Sequence, residues 1–146
     1  MKVAVPLTKE LMLYSDNPYT AAKFAIYLIV GDKTDVSYSL VEIVDNPRYI
    51  EVSDRVEEIE RECACDLERQ NDIQHICEHY SILESIGSCS YLLAARYCKN
   101  TIKSLQNGGI KIFQIPTIIK KADIAIKNFL IGASFANKIQ NIHHAS

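Results

Sequence analysis

The sequence lacks three features that would point directly to a class of function: a long apolar run, a charge excess of one sign and an export signal. The longest apolar run, Phe24 to Val30, has seven residues, whereas a membrane span needs about 20. Lysine plus arginine at 16 against 18 acids gives a net charge of -2, which disfavours nucleic-acid binding. The start, MKVAVPLTKE, has no apolar segment typical of secretion signals. We therefore expect a cytoplasmic protein without a membrane or nucleic-acid partner.

The composition is that of one globular domain. The chain has 146 residues, 48% of them hydrophobic and 23% charged, which is enough for a single core. Its five cysteines are an odd number in a chain without an export signal. They are therefore interpreted as reduced thiols or metal ligands rather than as a disulfide framework.

Three short, β-branched apolar runs open the chain. Lys2 to Leu7, Phe24 to Val30 and Val36 to Val44 predict a strand, a long loop and a β-hairpin. The third run has no cleanly polar face. We therefore expect both faces of the sheet to be at least partly covered by helices.

The spacing of apolar residues becomes helical between Pro47 and Gly87, which predicts two helices or one broken helix. Beyond Gly87, strands and helices alternate, which predicts parallel strands with helical crossovers. These elements are Ser90 to Ala94, Lys99 to Gln106, Ile110 to Gln114 and Ile118 to Leu130. We expect residues 133–146 to form a weakly patterned C-terminal tail.

Charge is distributed unevenly along the chain. Residues 51–72 hold nine acids and three bases, whereas residues 96–146 hold eight bases and one acid. These segments are either complementary solvated faces, or the basic half attracts an anionic ligand or an acidic partner.

Two stretches resemble the dinitrogenase iron-molybdenum cofactor-binding family, the small NifX-like proteins. The first is MKVAVP followed by Ser15 to Phe24, and the second is Ala94 to Phe113, which aligns with the family pattern without a gap. The resemblance covers residues 1–132 as one domain, with 46–86 as a divergent helical insertion. It implies an α/β, ribonuclease-H-like three-layer fold with a five-stranded mixed sheet in the order 3-2-1-4-5, flanked by helices.

The resemblance also implies a function without catalysis. Members of the family are similar in carrying or storing metal cofactors and cluster precursors, so the implied cargo is an iron-molybdenum or iron-sulphur cluster and the implied partner a cofactor-donor or cofactor-acceptor protein. Two departures stand out. Asn17 replaces a histidine that is a candidate ligand in the family, and Cys98 replaces the glycine of an Arg-x-Gly turn.

The implied strand order brings the loop after the first strand and the turn after the fourth to one edge of the sheet, where open α/β sheets bind ligands. The candidate cofactor-binding residues at this edge are Ser15, Asn17, Arg96, Cys98, Lys99 and Asn100. Cys98 lies at a helix N-terminus between two cations, which favours the metal-binding thiolate. The alternative is a small residue that fills a turn.

Further candidate metal ligands lie in the insertion. These are Cys63, Cys65, His75, Cys77 and His79, of types that suit zinc, iron or an iron-sulphur unit. Helical spacing weakens the interpretation, because Cys63 and Cys77 belong to apolar stripes whereas Cys65, His75 and His79 face away from them. The two histidines share a face that is equally typical of a solvated helix.

We expect no enzyme activity. Ribonuclease-H chemistry needs carboxylates on the first and central strands to hold two metal ions, and Val3 to Val5 and Tyr91 to Leu93 provide none. A Cys-His mechanism needs an imidazole near Cys98, and the inferred topology places no histidine there. A carrier needs only an open crevice, soft ligands and a positive surround, and the resemblance implies a metal cofactor as its cargo, so we expect a metal-cofactor carrier. The alternative is a protein-interaction or regulatory module that kept the fold and lost the cofactor.

Overall fold

The computed structural model describes residues 1–31, 35–47 and 79–145, with the side chains of the last helix described to residue 133. The strands are β1 (Lys2–Leu7), β2 (Lys23–Gly31), β3 (Val36–Asp45), β4 (Tyr91–Ala94) and β5 (Lys111–Gln114). The α-helices are α1 (Ile82–Ile86), α2 (Lys99–Asn107) and α3 (Ala122–Ala145), and a short 3-10 helix spans Pro18–Thr20. Among these described residues, none of the helices combines the length and the hydrophobicity that crossing a membrane requires.

The five strands form one mixed sheet in the order β3-β2-β1-β4-β5. The central strand β1 pairs with β2 antiparallel and with β4 parallel, and β4 pairs with β5 parallel. This arrangement confirms the predicted fold class and strand order.

Helices cover the two faces of the sheet around its centre. Because side chains alternate along a strand, Val3 and Val5 pack with Phe129 of α3, whereas Ala4 packs on the opposite face with Ile82 of α1 and Leu105 of α2. Three layers result, with α3 on one side and α1 and α2 on the other. The core therefore lies on both sides of β1.

The edge strand β3 departs from expectation. Most of its side chains are exposed, and Tyr38 and Val44 are half-buried. Among the described residues, the helices pack over the central strands and leave β3, the last strand on its side of the sheet, without the expected cover on both faces.

The last helix also differs from its predicted bounds. It begins at Ala122 rather than Ile118, and its backbone stays helical to Ala145, through most of the expected tail. Within this helix Gly132 allows close packing, because a Cβ there would lie 2.7 Å from Cζ of Phe113. The predicted helices between Pro47 and residue 78 lie outside the described residues.

The parallel pair β1 and β4 defines a crevice. The chain leaves β1 toward β2 on one side and leaves β4 toward β5 on the other, so the connections separate beyond the carboxyl ends of these two strands. Such a switch in direction is the usual ligand site of an open α/β sheet. The loop 8–22 and the turn 95–98 meet at this edge.

Candidate functional site

One wall of the crevice is the turn that contains the 3-10 helix. Asn17 caps this helix by accepting a hydrogen bond from the Tyr19 N–H at 3.3 Å. The Thr20 hydroxyl donates to the Asn17 carbonyl at 2.9 Å and lies 2.6 Å from the Tyr14 hydroxyl. The turn is thus held in one conformation by its own side chains.

The same turn is tied to the end of the β-hairpin. The buried Asn46 side chain, just after β3, donates to the carbonyls of Tyr19 and Ala21 at 3.0 and 2.8 Å. Backbone carbonyls inside a protein need donors, and Asn46 supplies two from another element. The crevice wall is therefore fixed from the sheet side as well.

The opposite wall is the start of α2. Cys98 is the N-cap residue of this helix, and its side chain makes no capping hydrogen bond there. Instead its Sγ lies 3.4 Å from Nε2 of His79 and 3.2 Å from Oγ1 of Thr101. The sulfur therefore faces an imidazole and a hydroxyl rather than the amides of its own helix.

His79 comes from the segment that precedes α1. It is fully buried, and its ring stacks on Tyr19 with centroids 4.1 Å apart and an angle of 13° between the planes. Its placement beside Cys98 corrects two expectations, that His79 is on a solvated face and that no histidine is near Cys98. A helix that precedes a parallel strand and packs on the sheet runs antiparallel to that strand. The residues before α1 therefore lie at the carboxyl edge of β4, and topology alone could have indicated this position.

A chain of hydrogen bonds links the two walls. The Thr101 hydroxyl donates to Oδ1 of Asn17 at 2.8 Å, and the same hydroxyl oxygen contacts the Cys98 sulfur. A threonine hydroxyl has one hydrogen. Because that hydrogen is given to Asn17, the neutral thiol must be the donor in the contact with Thr101.

The predicted site residues are only partly brought together. Asn17 and Cys98 lie in the crevice with His79, and Asn100 is buried in the first turn of α2. Ser15 is half-buried in the wall loop, and Lys99 is exposed. Arg96 is exposed and forms a 3.5 Å ion pair with Asp16. Such exposed pairs stabilise a fold little.

The remaining predicted ligands cannot be placed. Cys63, Cys65, His75 and Cys77 lie outside the described residues. In the ranges that the structure describes, no three side chains of histidine, cysteine, aspartate or glutamate come together as a metal site. The crevice brings together two, Cys98 and His79.

Comparison with known proteins adds no relative. No family model matches the chain, and no curated protein matches it. The function is therefore inferred from the crevice and from the resemblance in sequence.

A thiol beside an imidazole can act in two ways. The pair can ligate one soft or borderline metal ion, as cysteine and histidine do in zinc and iron sites. It can also transfer a proton within the pair, which activates the sulfur as a nucleophile. Both uses place the reactive atom at the mouth of the crevice, since Cys98 is half-buried and His79 fully buried.

Proposed function

We propose that this chain is a small, non-catalytic, cytoplasmic carrier for a metal cofactor or an iron-sulphur precursor, and that Cys98 and His79 hold the cargo. The resemblance to the iron-molybdenum cofactor-binding family suggests this class of cargo. The observation that carries the proposal is the 3.4 Å separation between the Cys98 sulfur and the His79 Nε2.

That separation suits a shared ion. A thiolate sulfur about 2.3 Å and an imidazole nitrogen about 2.0 to 2.1 Å from one tetrahedral metal ion are about 3.6 Å apart. The two atoms need only a small adjustment to reach this geometry. Ligation requires the thiolate and the neutral imidazole, so metal binding would release the thiol proton.

His79 also compensates for the departure at position 17. The family has a histidine where this chain has Asn17, and here an imidazole reaches the same turn from the insertion by stacking on Tyr19. The crevice thus keeps one imidazole, supplied by a different segment of the chain.

Two protein ligands are an incomplete set for a tetrahedral metal, which needs four. The remaining positions would be filled by the cargo's own ligands. An open, partial set of this kind suits a protein that receives a cluster from one partner and passes it to another.

The test is anaerobic purification followed by analysis of iron, molybdenum and sulphide, and then reconstitution with Fe²⁺ and sulphide. We expect a visible absorption band for the wild type, which is lost in Cys98→Ser and retained in Cys89→Ser. Cys89 is the matched control because it is a free, buried cysteine near the opposite end of β4.

Two results would contradict the carrier proposal. One is a wild-type protein that takes up no metal species under anaerobic conditions, and the other is a Cys98→Ser variant that binds one as tightly as the wild type. Either result would favour a protein-interaction module that kept the fold without the cargo.

A further inference from the structure

One buried donor in the crevice lacks a partner. Asn17 is only 8% exposed, and its Nδ2 has no hydrogen-bond partner among the described residues. More than nine in ten buried polar groups in proteins are hydrogen-bonded. A buried donor without a partner, in a turn that forms a crevice wall, is a position at which an acceptor from outside the chain would complete the hydrogen bonding.

The identity of this atom is fixed by its neighbours. The other atom of the carboxamide receives hydrogen bonds from the Tyr19 N–H and from the Thr101 hydroxyl. A backbone N–H can only donate. That atom must therefore be the oxygen, and the NH₂ group with its two hydrogens is the one left over.

The carboxamide lies beside the start of α2. Its oxygen contacts the same Thr101 hydroxyl that contacts the Cys98 sulfur. The N–H groups in the first turn of a helix lack carbonyl partners within the helix, and the helix dipole there favours negative charge. The donor of Asn17 thus adds to a helix end already suited to an anion.

The charge around the crevice also favours an anion. Lys99 opens α2 and is exposed, while Arg96 is exposed and balanced by Asp16. The net contribution of these three exposed side chains is one positive charge. The Asn17 NH₂ group, which can only donate, offers a bare metal cation no ligand atom.

We propose that the crevice recognises its cargo as an anion, with the Asn17 NH₂ group donating a hydrogen bond to a sulphide or oxygen atom of a negatively charged metal species. The proposal rests on the carrier function and specifies its cargo. Cys98 and His79 provide affinity for the metal, and Asn17 distinguishes an anionic cluster from a free metal cation.

The test compares two probes on the full chain under anaerobic conditions. One is Co²⁺, which reports thiolate ligation by its visible absorption. The other is the cubane iron-sulphide cluster with mercaptoethanolate ligands, a dianion. The variant is Asn17→Asp, which has nearly the same shape and keeps an oxygen for Tyr19 and Thr101 but replaces the donor by a negative oxygen.

We expect Asn17→Asp to weaken binding of the cluster by about tenfold or more, since a charge-assisted donor becomes a repelling charge. Its affinity for Co²⁺ should be unchanged or higher. The matched control is Gln106→Glu, which makes the same charge change near the far end of α2, on an exposed residue. It should leave both affinities unchanged.

Asn17→Ala keeps the test decisive if Asn17→Asp does not fold. It removes the donor without adding charge, and it should weaken cluster binding while leaving Co²⁺ binding intact. A folded Asn17 variant that binds the cluster within about twofold of the wild type, or that weakens both probes equally, would overturn the inference.

The outcomes also separate this inference from the carrier proposal. A wild type that binds Co²⁺ at Cys98 but not the cluster would overturn anion recognition alone. A wild type that binds neither probe would overturn the carrier function and this inference with it.

Discussion

The two ends of β4 each have a cysteine, and their surroundings could hardly differ more. Cys89 precedes the strand and packs with Ile86 and Leu92 in the core between the sheet and α1. Cys98 follows the strand and contacts an imidazole and a hydroxyl. The same side chain is therefore core at one end and a candidate ligand at the other.

The buried position of Cys89 suppresses the ionisation of its thiol. Burial is the largest cause and raises the pKa of the Cys89 thiol from 9.0 to about 11, although nearby Lys2 opposes the shift. A thiol in this position stays protonated at neutral pH. In these two described cysteines, the neighbouring groups and the degree of burial determine what the thiol can do.

The largest expected difference between the two ends is in alkylation. At pH 8 the pKa of about 11 leaves the Cys89 thiol about a hundredfold less thiolate than its ordinary pKa of 9.0 would. Cys89 is also shielded from the reagent. We expect the half-buried Cys98 to react with iodoacetamide faster than the buried Cys89, by about tenfold or more, measured by peptide mapping of the native protein. Equal alkylation rates would mean that Cys89 and Cys98 do not differ in thiol reactivity.

His79→Ala tests the imidazole at the crevice end. Removing one ligand should lower the affinity for Co²⁺ by about tenfold to a hundredfold. Loss of a fully buried ring stacked on Tyr19 should also lower the melting temperature. Titration by visible absorption gives the affinity, and an unchanged value in the folded variant would remove His79 from the site.

Serine substitution should separate stability from binding. Cys89→Ser places a hydroxyl in the apolar core and should cost about 1 to 3 kcal/mol of the free energy of unfolding. Cys98→Ser replaces a half-buried group beside polar neighbours and should cost less, about 1 kcal/mol or below. Urea unfolding of both variants without metal measures the two losses in the free energy of unfolding. A larger loss for Cys98→Ser than for Cys89→Ser would show that Cys98, and not Cys89, is the structural cysteine.

The smallest expected effect is in alkaline stability. Because folding raises the pKa of Cys89, the folded state keeps the proton to higher pH than the unfolded state does. This contribution is complete below pH 9 and is lost as the pH rises toward about 11. Melting temperatures between pH 8 and pH 11 should fall more in the wild type than in Cys89→Ala. If the melting temperatures of the two proteins fell in parallel with pH, folding would not raise the pKa of the Cys89 thiol.

The sequence predicted the sheet well because strand signals are local. The apolar runs placed β1 with its observed bounds and the other four strands within one residue at either end. The strand order followed from the family resemblance. By contrast, the exposure of β3 and the length of α3 depend on which elements pack where, as the approach of Phe113 to Gly132 illustrates, and no local pattern carries that information.

The candidate site was predicted in part. The sequence indicated Asn17 and Cys98 because they replace residues of a known motif, and it named His79 as a ligand. It did not indicate that His79 meets Cys98, because no local pattern links two residues separated by α1 and β4; only the path of the chain before β4 places His79 at the carboxyl edge of that strand. It also missed Tyr19, because stacking partners have no sequence signal of their own.

The stack of Tyr19 on His79 has a directional consequence. The lone pair of an imidazole nitrogen lies in the plane of its ring, and here the tyrosine ring determines that plane to within 13° of its own. A bound atom must then approach Nε2 along one direction. The ring has lost its rotational entropy during folding, so little remains to be lost when a ligand binds. Under the proposed carrier function, Tyr19, which offers no ligand atom to this contact, would set both the angle and part of the affinity with which His79 binds the cargo.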